Sequence, residues 1–373
     1  MQPLGLSAAQ LAEYHRRLTS SHDESISVQV LDPNGALVGA ASYEDGQINL
    51  QKQVGVRRDC QVTISDPNRV LGLESGAWEP TAANRLLRVT VGIECSWGIV
   101  TATPFTGPIN SVGDQGGKLQ LSAVDMTSLG LRGSKPMTFA RGELAVDALT
   151  RLYADALGYT SVRFPAGNTV RLAKPYSIGW ADESAPEVIA AQIVADLFPD
   201  WQLFKSGDGI PTLREKPTEP VLSLDVTTLP EGDADLSNIV NTAVVPGKGG
   251  LVATLDPTHP WSPESLARNG VKRYLPSVLE AGAKDAEKRA LAALTTASNT
   301  TLDLTFSSMP FWHLDDDDLI HWRTPDGDLV LPWSSGSLPL GPGGDASIGA
   351  PRLSSKAYGK PVITRSPKKR GKK

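Results

Sequence analysis

Turn signals limit what this chain can fold into: its period-two alternations are short, and clusters of Gly, Pro, Asn and Asp recur between them. Runs bounded in this way specify strands and hairpins more readily than helical bundles. Ile26, Val28 and Val30 alternate with Ser27 and Gln29 and then meet the turn Asp32-Pro33-Asn34-Gly35. The pattern repeats at Ile48 and Leu50, at Cys60-Val62-Ile64 before Asp66-Pro67-Asn68, at Leu87-Val89-Val91-Ile93 and at Leu119-Leu121-Ala123. The spacing predicts a small sandwich or barrel that ends near Gly133. With 35 Gly and 28 Pro among 373 residues, the punctuation continues along a chain long enough for two or three domains.

Helical signals are fewer. Ser7 and Gln10 form a Ser-x-x-Gln capping box, and Leu6 and Leu11 stand where a hydrophobic staple places them. The face made by Leu11, Tyr14 and Leu18 then needs a surface to cover it, either its own domain or a neighbouring subunit. A helix is predicted over Arg141 to Leu157, stopped by Gly158, and a second one is capped by Ser184 with Pro186 and Glu187 in its first turn. Apolar segments Trp201 to Phe204 and Ile210 to Leu213 flank Ser206-Gly207-Asp208-Gly209, so helix, helix and hairpin make one α+β unit. Strands are expected again at Val221 to Val226, Asn238 to Val245, Leu302 to Phe306, Leu319 to Trp322 and Leu329 to Trp333, with a helix over Val278 to Ala297. From Gly341 to Lys373 the Gly/Ser/Pro-rich and then basic composition predicts an extended arm. The fold class expected is α+β, mainly β.

The chemistry is sparse. Thirty-six Lys+Arg against 41 Asp+Glu give a net charge of −5, which offers no global attraction to nucleic acid or an anionic membrane. Cys60 and Cys95 read as buried small hydrophobes, and the lack of a leader-like start or a spanning run predicts a soluble chain made without export. No phosphate-binding loop, Gly-x-Ser-x-Gly elbow or His-Glu-x-x-His pair occurs, so no catalytic residue, cofactor or metal site is assigned. The densest polar cluster is His313, Asp315, Asp316, Asp317, Asp318 and His321. Four consecutive carboxylates splay around a turn or point to opposite faces of a strand, so they read as a solvated turn, and Asp316 and Asp317 are expected to tolerate replacement. Lys368, Lys369, Arg370, Lys372 and Lys373 make a basic end, which together with Leu11, Tyr14 and Leu18 is a candidate for docking a partner. Trp261, Trp312, Trp322 and Trp333, with scattered acid pairs, leave a glycan-binding or glycan-hydrolysing β protein as the alternative.

The order of elements resembles the tail hub, or tail-associated minor tail, proteins of long-tailed bacteriophages, relatives of contractile baseplate hubs and the type VI secretion spike. The resembling segments are Ser27 to Val30 with Asp32 to Gly35, Gly46 to Leu50, Val56 to Ile64, Leu87 to Ile93, Pro186 to Gly209, Asp235 to Asn241, Ala286 to Ala290 and Pro310 to Ile320. The capped helix occupies 1–25 ahead of the resembling segments, which cover roughly 26–340 and imply a first β-barrel or sandwich tube domain over 26–135 and an α+β peripheral domain over 136–220. A second tube domain follows over 221–340, with an insertion at about 246–298, and then the arm over 341–373. The resemblance also implies a non-enzymatic homotrimer at the virion's tail tip, made in the host cytoplasm. The trimer would join the sixfold tube to the threefold tip and surround the tape-measure protein and the exiting genomic DNA. Its partners would be the distal tail protein ring and other tip or fibre proteins, with no stable membrane insertion.

Overall fold

The computed structural model describes residues 2, 4–20, 22, 24–41, 43–51, 57–65, 85–114, 116–225, 231–234, 241–246, 251–259, 261–268, 276–278, 287, 290–291, 294, 301–325, 327–341, 345–353 and 362–365. It is mainly β, of α+β class, and divides into two compact units, Met1–Pro230 with Thr305–Ala350, and Glu231–Leu304 with Pro351–Lys373.

In chain order, helix α1 (Ala8–Leu18) precedes β1 (Glu24–Leu31), β2 (Leu37–Ala41), β3 (Tyr43–Leu50), β4 (Arg58–Ser65), β5 (Leu86–Cys95), β6 (Gly98–Asp114) and β7 (Lys118–Val124). Next come β8 (Met137–Phe139), α2 (Ala145–Arg151), β9 (Tyr176–Ile178), α3 (Pro186–Leu197), β10 (Trp201–Lys205), β11 (Pro211–Glu215) and β12 (Leu222–Asp225). Strands β13 (Glu231–Ala234), β14 (Thr242–Val245) and β15 (Leu251–Thr254), helix α4 (Pro263–Arg268) and β16 (Pro276–Val278) follow. The chain ends with β17 (Thr301–Ser308), β18 (Leu319–Thr324), β19 (Gly327–Pro332), β20 (Ser335–Leu340), β21 (Ala346–Leu353) and β22 (Val362–Arg365).

The first unit is built on a sheet in which β21, β20, β3, β4, β7, β6, β5, β1 and β2 are successive neighbours, each antiparallel to the next. The predicted alternation is seen directly in β4, where Arg58, Cys60, Val62 and Ile64 are buried and the residues between them are not. Asp32 shapes the β1–β2 turn by accepting from the N–H groups of Asn34 and Ala36 at 2.9 and 2.8 Å, while Gly35 takes φ +84°. The Asp66-Pro67-Asn68 turn lies outside the described residues. The 17-residue β6 carries no clean alternation, because Thr, Pro and Gly interrupt its apolar positions.

The capping box of α1 is present: Gln10 N–H donates to Ser7 Oγ, and Ser7 N–H to Gln10 Oε1. Its Tyr14 and Leu18 are fully buried within their own unit and Leu11 is half-buried. The insert from β8 to β11 has a core of its own, including Leu149, Leu152, Tyr153, Ile189, Ile193, Phe198 and Leu213. Two helix expectations are corrected there. Helix α2 starts at Ala145, not at Arg141, because Gly142 turns at φ +89° and Ala145 N–H is held by Val170 O; its last turn widens to π-helical spacing over Leu152–Ala156. Ser184 does not cap α3: Ala185 is the cap residue, and Glu187 turns inward to a buried lysine instead of completing a capping box.

In the second unit, β14 pairs with β15 antiparallel and with β16 parallel, and β15 also pairs with β22. Ala243, Val245, Leu251, Ala253, Leu255, Ala290 and Leu294 form its core. Most of the helix expected over Val278 to Ala297 lies outside the described residues; Val278 itself ends β16, and Glu287, Ala290, Leu291 and Leu294 are helical. The Gly341 to Lys373 segment is not wholly an extended arm. Strand β21 pairs with β20, burying Ala346 and Ile348, and β22 pairs with β15, whereas Lys368 to Lys373 lie outside the described residues. A glycine on the partner strand permits the pairing: Gly336 of β20 lies at φ +137°, and a Cβ there would approach Ser347 O to 1.9 Å.

Gly336→Ala should therefore destabilise the protein by about 1–3 kcal/mol, through strained backbone and a forced separation of β20 from β21. Urea denaturation measures this, and an unchanged midpoint would contradict the close approach.

Candidate functional site: a buried ionic junction

The segment between β17 and β18 gathers the first unit's polar groups. Phe311, Trp312 and Leu314 enter the core, and the acidic residues that follow enter with them: Asp315, Asp316 and Asp318 are all buried. This overturns the solvated-turn expectation. The local backbone explains how four acids in a row can be arranged so. Asp317 adopts φ +62°, the one positive-φ non-glycine among the described residues, and its N–H donates to Trp333 O while Trp333 N–H donates to Asp318 O, both at 2.9 Å. Asp318 Oδ2 accepts from Asp315 N–H at 2.8 Å, closing the turn on itself.

Three arginines from distant parts of the sequence face these carboxylates. Arg58 of β4, whose side chain is 4% exposed, donates from Nε and Nη2 to Asp316 Oδ1 at 3.1 and 2.8 Å and from Nη1 to Pro104 O of β6 at 2.8 Å. It also lies 3.5 Å from Asp315 Oδ1. Arg214 of β11 donates to Asp316 O and pairs with Asp318 Oδ1, both at 2.9 Å. Arg57 reaches Asp316 and Asp317 from the more exposed side at 3.5 and 3.7 Å. Gln202 of β10, with its amide oxygen toward Arg214, accepts at 2.7 Å and donates to Asp317 Oδ2 at 3.3 Å. Strands β4 and β6 of the sheet, the β10–β11 hairpin of the insert and the 311–318 segment thus meet on one set of charges.

Burial by itself would lower the Arg58 pKa, but the Asp316 and Asp315 carboxylates outweigh it and the guanidinium is held above its ordinary range. The same burial pushes the Asp315 carboxyl up, with Arg58 pulling the other way. Beside the junction, Lys205 Nζ donates to Glu187 Oε1 at 2.5 Å and to the Tyr153 hydroxyl at 3.1 Å, and that hydroxyl donates to Glu187 Oε2 at 3.0 Å. Burial lowers the Lys205 pKa, and Glu187 partly restores it. Lys205 and Glu187, with Arg57, Gln202 and Asp317 of the junction, line a cleft of about 1260 Å³ whose other walls include Phe198, Trp201, Leu319 and Pro332.

Helix α1 is tied to the same segment. His313 and His15 stack with ring centroids 4.9 Å apart and their Nε2 atoms at 3.0 Å, and Tyr14 meets His313 edge-on. Gln2 donates from its backbone to His313 O and exchanges side-chain hydrogen bonds with the Thr103 backbone. Of the sequence candidates, the structure therefore brings Tyr14 together with His313 and the acids; His321, on β18, is directed instead to Asp328 at 3.2 Å. Arg57, Arg58, Arg214, Lys205 and Glu187 were not singled out from the sequence as members of a site. One signal was available: with Cys60, Val62 and Ile64 facing inward, the same parity puts Arg58 inside. Trp312, Trp322 and Trp333 are buried and present no stacking surface to a sugar. Among the described residues, no group of three or more His, Cys, Asp or Glu side chains is placed to hold a metal ion, and no helix is long and apolar enough to cross a membrane.

No protein-family model and no curated protein sequence matches this chain. Solved structures do. A tail protein from Neisseria meningitidis MC58 superposes with a TM-score of 0.56 at 15% identity, over 89% of this chain and 97% of that one. The 43 kDa tail protein of prophage MuSo2 from Shewanella oneidensis gives 0.56 at 12% identity, over 88% and 96%. This chain has the tail-protein fold. The half-lidded PdpA–VgrG complex of Francisella shares it more distantly, with a TM-score of 0.52 and 10% identity over 95% of this chain and 62% of that one.

Removing one partner of a buried ion pair leaves the other charge uncompensated, so Arg58→Met and Asp316→Leu should each cost about 3–5 kcal/mol, and the double variant should cost less than the sum of the two. A double-mutant cycle in urea measures the coupling; additive losses would show that the pair is incidental. A second expectation concerns acid. Burial lowers the pKa of both His15 and His313, and the neighbouring His15 lowers His313 further, so the folded protein keeps them neutral while the unfolded chain takes up protons below about 6.5. Stability should fall as pH drops from 7 to 5, and His313→Phe should flatten that slope. A melting temperature independent of pH over this range, or an unchanged slope in the variant, would contradict it.

Proposed function

We propose that this chain is a structural, non-enzymatic hub of a phage tail tip, positioned in the virion where the tail tube ends. The observation that carries the reading is the match to two tail proteins over nearly the whole of both partners' lengths. In this reading three copies form a ring. Each contributes the β-rich segments 26–135 and 221–340, of which residues 335–340 extend the sheet of the first, with the 136–220 insert at the periphery. The ring adapts the sixfold tube to a threefold tip and surrounds the tape-measure protein before ejection and genomic DNA during it.

The chain's charge agrees with a conduit. A net charge of −5 gives passing phosphates no general hold, whereas a lumen crowded with Lys and Arg would retain them. A distal tail protein ring and other tip or fibre proteins are the proposed neighbours. Leu11 and the basic residues Lys368, Lys369, Arg370, Lys372 and Lys373 are the proposed contact points. The buried Tyr14 and Leu18 would support that contact from beneath by fixing α1.

Native mass spectrometry of the purified chain at micromolar concentration tests the reading. A homotrimer is expected, and its persistence after removal of residues 366–373 would assign the basic end to a later attachment step. A strict monomer or a dimer would contradict the hub.

A further inference from the structure

The insert from β8 to β11 keeps one large aromatic side chain outside its core. Trp180, two residues beyond the end of β9, is 75% exposed, more than any other large apolar residue among those described. The core beside it already encloses Phe139, Tyr153, Tyr176 and Phe198. Trp180 thus differs from Trp312, Trp322 and Trp333, whose rings are fully buried and offer no face to a ligand.

The backbone that carries this indole is clamped on both sides. Ser134 N–H donates to Gly179 O at 2.8 Å, Gly179 N–H to Ser184 O at 3.2 Å, and Gly133 N–H to Asp182 Oδ1 at 2.9 Å. Gly133 lies against the Trp180 carbonyl: a Cβ there would come within 1.8 Å of the oxygen, so only glycine lets the two segments touch. A short 3-10 turn, Asp182–Ser184, then fixes the way into α3. The exposure of the ring is therefore built into the backbone, and the ring is presented in advance of any ligand.

The surroundings of the indole are polar and balanced in charge. The side chains of Arg132 and Asp182 are 85% and 63% exposed, and Nη1 stands 3.7 Å from Oδ2, a loose pair that leaves hydrogen-bonding groups of both facing water. Lys135 and Glu183, next along the two clamped segments, are exposed as well. Two cations against two anions give no net attraction to phosphates or to a cationic peptide. A protein hot spot is ringed by contacts that exclude water, and the chain neighbours here, Gly179, Ala181, Arg132 and Asp182, offer no such apolar ring. A neutral sugar ring meets all of these conditions: its C–H face lies on the electron-rich face of the indole, and the hydroxyls at its edge reach charged donors and acceptors. We propose that Trp180 is the platform of a glycan-binding site that takes a pyranose with equatorial substituents, with Arg132 and Asp182 holding its hydroxyls. The site does not depend on the tail-hub reading, because the isolated full chain contains every group it uses.

The probe is chitotetraose, an uncharged oligosaccharide whose rings carry their substituents equatorially, titrated into the full chain and followed by calorimetry. Saturable binding is expected, at least tenfold weaker with Trp180→Ala. Asp182→Asn keeps an acceptor for Gly133 N–H but removes the charge, and should weaken binding severalfold. Leu129→Ala, at another exposed apolar side chain of the same unit, should change nothing. Trp180→Ala should leave the melting temperature unchanged, since an exposed ring adds little packing; a drop of several degrees would make Trp180 a structural residue and overturn the proposal. If that variant fails to fold, Arg132→Gln serves instead and should weaken binding severalfold. No binding of chitotetraose, equal binding by the variants, or equally strong binding of sorbitol, which has the hydroxyls without the flat face, would each overturn it.

Discussion

The buried charge junction is the interaction on which the first unit depends. Arg58 joins strand β4 to the backbone of β6 and to the acids of the 311–318 segment, and Arg214 brings the β10–β11 hairpin to the same acids. Two covalently distant pieces of chain, the sheet strands near residue 58 and the return near residue 316, are held there by charge as well as by the pairing of β20 with β3. Buried ion pairs add little net stability over a well-packed apolar contact, because desolvation offsets most of the Coulombic gain. What they supply is intolerance of misplacement: a shifted 311–318 segment would leave Arg58 and the carboxylates of Asp315, Asp316 and Asp318 without their partners at low dielectric. The junction therefore selects one arrangement of sheet, hairpin and return segment.

Much of the fold was legible because period-two alternation needs only local information. Strands β1, β3, β4, β5 and β7 match the predicted runs, and the hairpin β10–β11 formed on either side of Ser206-Gly207-Asp208-Gly209. Long-range pairing was not legible. Ser335–Leu340 was read as the end of a separate domain, yet it extends the sheet by pairing with β3, and Ala346–Leu353 looked too rich in small residues to form a strand. Nothing local in either stretch specifies those partners.

The site was read least well. A run of four aspartates is usually solvated, and its neutralising arginines at 57, 58 and 214 lie far away in sequence, so proximity along the chain could not reveal them. The parity of β4 could have: an arginine in phase with Cys60, Val62 and Ile64 must find a buried anion. The face of Leu11, Tyr14 and Leu18 was readable as needing cover, but the contact of His15 and Tyr14 with His313 joins residues some 300 positions apart.

The proposed hub role rests on one physical claim: three copies, each with its first unit locked by the buried charges, close a ring around a conduit. A cryo-EM map of the particle that carries this chain tests it most directly. The account predicts three copies closing a ring at the tube's distal end, each with its Arg58 junction buried and its lumen free of arginine-rich bands. A chain found outside the tail axis, or present there in any number other than three, would contradict it.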